Sequence, residues 1–205
     1  MTGRRRLPDL VAGSPKAGAA IAYGQRQHAG QRRSFGRAPF IEHPLEVGVL
    51  LFGVGARDDV VAAGILHDAI EKSDAEESEL RDRFGETVAE LVAAVSEDET
   101  IPRYRERKAA LRRQVAAAGT DAQMIFAADK VSKVRELRLA IARCTRSGEQ
   151  PDPSLLRPRR LHHYQRCLGM LEGALGGSPL LEQLRVELVR LQASVATSAA
   201  EIRAA

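Results

Sequence analysis

Apolar residues recur through nearly every segment of this chain at intervals of three and four, the period of a helix, and no run alternates Val, Ile, Thr and aromatics between hairpin turns. The pattern predicts an all-α fold. Ser14-Pro15 supplies an N-cap and a proline for the first helical position, opening a helix that carries Ala20, Ile21 and Tyr23 to about His28, with Gly30 as the stop. Gln31 to Phe40 contains Gly36 and Pro39, is basic at Arg32, Arg33 and Arg37, and reads as a loop. A second helix is predicted from Pro44 through Val47, Val49, Leu50, Leu51 and Phe52 to Gly55. A third begins at Asp58 and Asp59, buries Val60, Val61, Gly64 and Ile65, and continues through His67 and Asp68 towards Ile70.

Further helices are predicted from Glu76 to Phe84, Glu86 to about Ser96, Tyr104 to Ala118 and Asp121 to about Arg146, punctuated by Gly85, Ile101-Pro102 and Gly119. Gln150-Pro151-Asp152-Pro153 forms a linker, followed by a helix through Leu161, Tyr164, Leu168 and Leu171. After Gly176-Gly177-Ser178-Pro179 the last helix carries a heptad-like seam of Leu181, Leu184, Leu188, Leu191, Val195, Ser198 and Ile202. That seam is expected to pack back on the body as an antiparallel hairpin with the Leu161 to Leu171 helix; a homodimer through it is the alternative. The expected organisation is a flexible basic N-terminus over residues 1–13, a main domain over 14–150, and C-terminal helices over 151–205 packed on the same domain.

Composition narrows the class. The 205 residues are 44% hydrophobic and 28% charged, enough to bury a core and incompatible with disorder throughout. No stretch approaches the roughly 20 apolar residues of a membrane span, and the basic start Met1-Thr-Gly-Arg-Arg-Arg is followed by no apolar segment, so a cytoplasmic protein is expected. Cys144 and Cys167 lack any Cys-x-x-Cys spacing and are expected as reduced thiols. The net charge of +4 suits phosphorylated small molecules as well as nucleic acid, but with 4% aromatics and no Trp there is little for base stacking, so nucleic acid is not an expected partner.

Ionisable residues stand where a core face is expected, in Ile65-Leu66-His67-Asp68-Ala69-Ile70-Glu71. Burying such groups without partners is costly. On a continuous helix His67 and Asp68 edge one cavity, and Glu71 lies one turn further along the same face. His43 precedes the helix-starting Pro44, and Asp129 sits among Phe126, Ala127, Ala128 and Val131. Singly, each reads as well as a capping or hydrogen-bonded core group. Jointly, two histidines and two aspartates make a mixed nitrogen and oxygen set suited to manganese, iron, zinc or another divalent ion performing hydrolysis.

In this order, His43, His67-Asp68 and Asp129 resemble the metal ligands of the HD-superfamily phosphohydrolases. The surrounding segments are similar to the hydrolase domain of the RelA/SpoT group and to its small single-domain (p)ppGpp hydrolases: Gln31-Arg32-Arg33 after His28, Pro39-Phe40-Ile41-Glu42-His43-Pro44-Leu45-Glu46-Val47, Ala62-Ala63-Gly64-Ile65-Leu66-His67-Asp68-Ala69-Ile70-Glu71, Phe84-Gly85, Glu106-Arg107-Lys108 and Ala128-Asp129-Lys130. The likeness spans about residues 17 to 140, with a weaker one around Tyr164.

The resemblance implies an HD-domain helical bundle with additional C-terminal helices, the HD domain occupying 14–150. It implies a manganese ion on the two histidines and two aspartates, and water-driven removal of the 3′-pyrophosphate from the alarmone or a related nucleotide phosphate. Glu71 matches the first of the family's two catalytic carboxylates. Arg32 and Arg33 match a basic pair suited to phosphate oxygens, or form a solvated basic loop. Tyr164 stands beside the nucleotide or in the core. Two positions depart from the family: Lys72 stands at the second catalytic carboxylate, and Lys133 replaces an Asn four residues after the last ligand. Lys133 is suited to contact substrate phosphate, and Lys72 cannot accept a proton while it is charged. The competing expectation is a catalytically weak module that binds metal and a phosphorylated nucleotide and signals through its last helix.

Overall fold

The computed structural model describes residues 7–35, 38–148, 152 and 155–204. Eleven helices run in order among them: α1 (Leu7–Gly13), α2 (Pro15–Gln27), α3 (Glu42–Gly53), α4 (Asp58–Leu66), α5 (Ala69–Lys72), α6 (Glu77–Phe84), α7 (Glu86–Val95), α8 (Tyr104–Ala117), α9 (Thr120–Ser147), α10 (Pro158–Leu175) and α11 (Pro179–Ala204). There is no strand among the described residues, only an isolated bridge between Arg32 and Pro39 that pinches the loop after α2. Gly36, Arg37, Gln150, Pro151 and Pro153, and the side chains of Ser198 and Ile202, lie outside the described residues.

The helix starts follow from local chemistry. Ser14 Oγ accepts a hydrogen bond from the Ala17 amide at 3.2 Å with Pro15 behind it, an N-cap written in two residues. Gly85 and Gly119, with φ of 93° and 91°, take the left-handed backbone between helices that other residues avoid.

Every residue of α4 from Val60 to Leu66 is buried, and α2, α3, α7 and α9 surround it. Close approach of α3 and α4 rests on two glycines facing opposite helices. A Cβ on Gly48 would meet Ile65 Cγ1 at 2.6 Å, and one on Gly64 would overlap Leu51 Cδ1 outright. That approach sets the spacing between the residue at the start of α3 and those just after α4, where the site lies.

Three expectations are corrected. The third helix does not run on to Ile70: α4 ends at Leu66, His67 and Asp68 form a turn, and α5 restarts at Ala69. The His67 ring bonds the Gly64 carbonyl at 2.8 Å, the acceptor that the Asp68 amide would use in an unbroken helix. Residues 1–6 of the expected flexible N-terminus are outside the described residues, but 7–13 form α1, because Leu10 is fully buried against the core. The final seam is buried at Leu181, Leu184, Leu188 and Leu191, yet the most extensive partner of α11 is the long α9, with α10 second. These four leucines of the seam are covered within the chain.

Candidate metal centre

Three elements bring four buried side chains together. His43 comes from the first turn of α3, His67 and Asp68 from the turn between α4 and α5, and Asp129 from the middle of α9. His43 Nε2 and His67 Nε2 lie 3.2 Å apart. Asp68 Oδ2 is 3.4 Å from each of these nitrogens, and Asp129 Oδ1 is 3.2 Å from His43 and 3.5 Å from His67. His43, His67 and Asp129 converge tightly enough to share one ion, and Asp68 borders the same point.

Hydrogen bonds on the far side of each ring decide what that point requires. His67 Nδ1 donates to the Gly64 carbonyl, leaving its Nε2 lone pair towards the centre. Ser132 Oγ donates to Glu46 Oε2 at 2.6 Å, so it accepts from His43 Nδ1 at 2.8 Å, and the His43 lone pair also faces inward. Two lone pairs at 3.2 Å, bracketed by two carboxylates, repel unless a proton or cation lies among them. Asp68 Oδ2 is buried and accepts no hydrogen bond; Asp129 Oδ1 also lacks a well-directed donor, although Lys133 Nζ stands 2.9 Å away as an ion pair. Imidazole and carboxylate donors in this arrangement fit a divalent metal.

The electrostatics carry the same demand for positive charge. Burial works against a charged His67, but Asp68 and Asp129 outweigh it and hold the imidazole up at about 10. Burial also opposes charge on the carboxylates, yet His67 and Lys133 keep Asp68, and Lys130 and Lys133 keep Asp129, well below the usual range. Lys130 is itself buried, bonded to Asp129 Oδ2 at 2.5 Å with its ammonium 4.0 Å from the Phe126 ring centre.

Around this cluster the expected substrate and catalytic residues divide. Glu71, on α5, is nearly buried; its Oε1 accepts the Glu97 amide, and burial together with Asp68 raises its pKa. Glu97 is in turn held by Arg107 and Lys108 from α8. Lys72 extends towards solvent with Nζ 3.9 Å from Glu71 Oε2. Lys133 lies beside both aspartates. Tyr164 is buried on α10, its hydroxyl pushed up by burial and close enough to Lys133 and Asp129 to sense both charges.

The arginines are placed differently. Arg32 is exposed on the loop after α2. Arg33 turns behind His43, its Nη2 bonded to Glu136 at 3.0 Å and its Nη1 3.9 Å from Glu46. To meet a phosphate it must exchange these carboxylates.

The sequence reading missed Ser132 and the role of Glu46. Ser132 stands three residues after Asp129, on the same face of a helix, a spacing that offers the only signal for it. His28 and Gln31 entered only as motif positions. His28 Nδ1 bonds Gln31 Oε1 at 3.0 Å and Gln31 Nε2 donates to the Lys72 carbonyl at 2.6 Å, tying the end of α2 to α5.

Comparison with known proteins places this geometry. The sequence model of the HD domain matches residues 20–149. The human guanosine-3′,5′-bis(diphosphate) 3′-pyrophosphohydrolase MESH1 is 35% identical over 132 residues, covering 63% of this chain and 71% of that protein. Its Xenopus tropicalis counterpart is 29% identical over 166 residues, 80% of this chain and 87% of that one. A pyrophosphohydrolase of the same name from Aquifex aeolicus is 32% identical over 120 residues, and the match spans only 17% of its length. Among solved structures, a metazoan ortholog of SpoT superposes with a TM-score of 0.70 at 23% identity, covering 87% of this chain and 94% of that one, a likeness of fold. The Listeria monocytogenes protein lmo0812 superposes with a TM-score of 0.60 at 28% identity, covering 73% of this chain and 97% of that one.

Proposed function

Because the chain belongs to the HD domain family, we propose that it is a metal-dependent phosphohydrolase that removes the 3′-pyrophosphate of guanosine 3′,5′-bis(diphosphate), ppGpp, or of a closely related nucleotide. The observation that carries the reading is the pair of inward-facing Nε2 atoms 3.2 Å apart between Asp68 and Asp129. The names of the human and Xenopus relatives, which align over most of their length, support the substrate.

His43, His67, Asp68 and Asp129 would hold the ion, for which manganese is the first choice. When bound, a divalent metal supplies Lewis acidity towards phosphate oxygen and lowers the pKa of a bound water. Glu71 is the base. Its carboxylate is oriented by the Glu97 amide and is raised towards a proton-accepting range by burial and Asp68. Lys133 sets an ammonium at the rim of the cluster, where it neutralises a phosphate oxygen of the substrate. Lys72 adds a second, solvent-exposed ammonium beside Glu71, in a position to contact the leaving pyrophosphate. Arg32 is exposed on the loop after α2, where its guanidinium would meet a phosphate oxygen, and Arg33 joins it on releasing Glu136. Tyr164 closes the α10 side of the site from within the core. The reaction belongs in a cytoplasm, where nucleotides are made and used.

A second reading, a metal- and nucleotide-binding module with little turnover, draws on one observation. Lys133 already lies 2.9 Å from Asp129 Oδ1 and partly satisfies the charge a metal would satisfy. Pyrophosphate release from ppGpp with manganese, with Asp68→Ala as control, separates the two. Release that the variant abolishes is expected. Manganese binding without release would leave the binding module and refute the hydrolase.

A further inference from the structure

A chain of hydrogen bonds leads from the ring of His43 through Ser132 and Glu46 to Arg135, one turn along α9 from Ser132, and its polarity is set at the far end. Arg135 Nη1 donates to Glu46 Oε1 at 2.5 Å and fixes that carboxylate. Its other oxygen, Oε2, accepts from Ser132 Oγ at 2.6 Å. Ser132 is fully buried and has one proton. With that proton directed to Glu46, the hydroxyl can only accept from His43 Nδ1 at 2.8 Å. His43 and Ser132 are 89 residues apart, and Ser132 and Glu46 are 86 apart, so the chain exists only in the fold.

We propose that Glu46 and Ser132 are positioning residues that lock His43 in its Nδ1–H tautomer and so hold Nε2 unprotonated for the metal. The inference rests on the metal reading above and deepens it. Neither residue touches the point where the two Nε2 atoms converge; each acts through His43. His67 has no such dependence, since its Nδ1 donates to a main-chain carbonyl that cannot reverse its polarity. The two ligands therefore differ in kind. One is set by the backbone, the other by a side-chain relay that a single substitution can reverse.

The test reads the tautomer directly, by nitrogen-15 NMR of labelled histidine in the metal-free protein, with manganese affinity measured in parallel by calorimetry. Wild type is expected to show His43 as the Nδ1–H form. Ser132→Ala leaves that N–H buried without an acceptor, and is expected to shift His43 towards Nε2–H and to weaken manganese binding about 10- to 100-fold. His67 should keep its own form.

Glu46→Gln preserves shape but offers one acceptor oxygen where Arg135 and Ser132 each need one, and should move both readouts the same way. It also carries the test if Ser132→Ala melts far below wild type. His43 remaining Nδ1–H in the folded variants, or its tautomer changing while manganese affinity stays at the wild-type value, would overturn the proposal. Failure of the wild type to bind manganese would refute the metal reading instead, and the NMR signature would still decide the relay.

Discussion

Gly64→Ala tests whether the close contact of α3 and α4 positions the site. Gly64 lies in a fully buried helix, and an added Cβ would overlap Leu51 Cδ1 and sit 3.3 Å from Val47 Cγ1. Leu51 and Val47 are both fully buried and have no solvent to swing into. Overpacking a well-filled core costs about 1–3 kcal/mol, and the severity of this overlap places the cost near about 3. Replacing glycine by alanine within a helix returns about 1 kcal/mol. The net expectation is a destabilisation of about 2 kcal/mol, or a melting point lower by about 4–8 °C for a chain of this size.

Gly169→Ala is the control. Gly169 is exposed in α10 with nothing near its missing Cβ, so only the helix gain of about 1 kcal/mol applies and the melting point should rise. Urea titration and thermal melts followed by circular dichroism measure both. Manganese affinity of Gly64→Ala should fall as well, because α3 carries His43 and the Gly64 carbonyl anchors His67. A Gly64→Ala protein that melts at or above wild type would refute the argument that this contact is tight.

Glu71→Gln should retain manganese binding and lose about 10²- to 10⁴-fold in pyrophosphate release, the usual contribution of a positioned base; steady-state kinetics beside calorimetry would show it. Lys133→Met removes an ammonium from between Asp129 and Asp68 and is expected to tighten manganese by about tenfold while raising the KM for ppGpp, both readable in one titration series. His163, buried between α8 and α10, has its pKa pushed down to about 2 by burial, with Lys130, Lys108 and Arg112 adding to it. A folded pKa below the unfolded 6.5 means that the unfolded chain binds the proton first, so this stability is present above pH 6.5 and is lost as pH falls below it. Between pH 6 and 4, His163→Gln should reduce the slope of unfolding free energy against pH by up to about 1.4 kcal/mol per unit.

Much of this protein was legible because its signals are local. The start of α2 follows from Ser14 and Pro15, whose capping bond spans three residues. The ends of α6 and α8 follow from Gly85 and Gly119. Three of the four candidate ligands, His67, Asp68 and Asp129, stood out as ionisable groups in apolar surroundings, a cost visible before any fold is known. Local signals also misled. Apolar spacing continued past Leu66 and predicted an unbroken helix, but the His67 ring took the Gly64 carbonyl and turned the chain. The basic look of the first residues concealed Leu10, which acquires its value only against the core.

By itself the sequence determined the helical class, most helix boundaries and the family resemblance, since propensity, capping and apolar period act within a few residues. Only the tertiary structure decided which partners those residues take. It placed α11 on α9 more than on α10, turned Arg33 behind His43 into the carboxylates of Glu136 and Glu46, and ran the hydrogen bonds of Ser132 and Glu46 to the His43 ring. A charged or hydrogen-bonding side chain finds several chemically equivalent partners in its sequence. Burial removes water as the alternative, and the one partner within reach in space then decides its orientation and its proton.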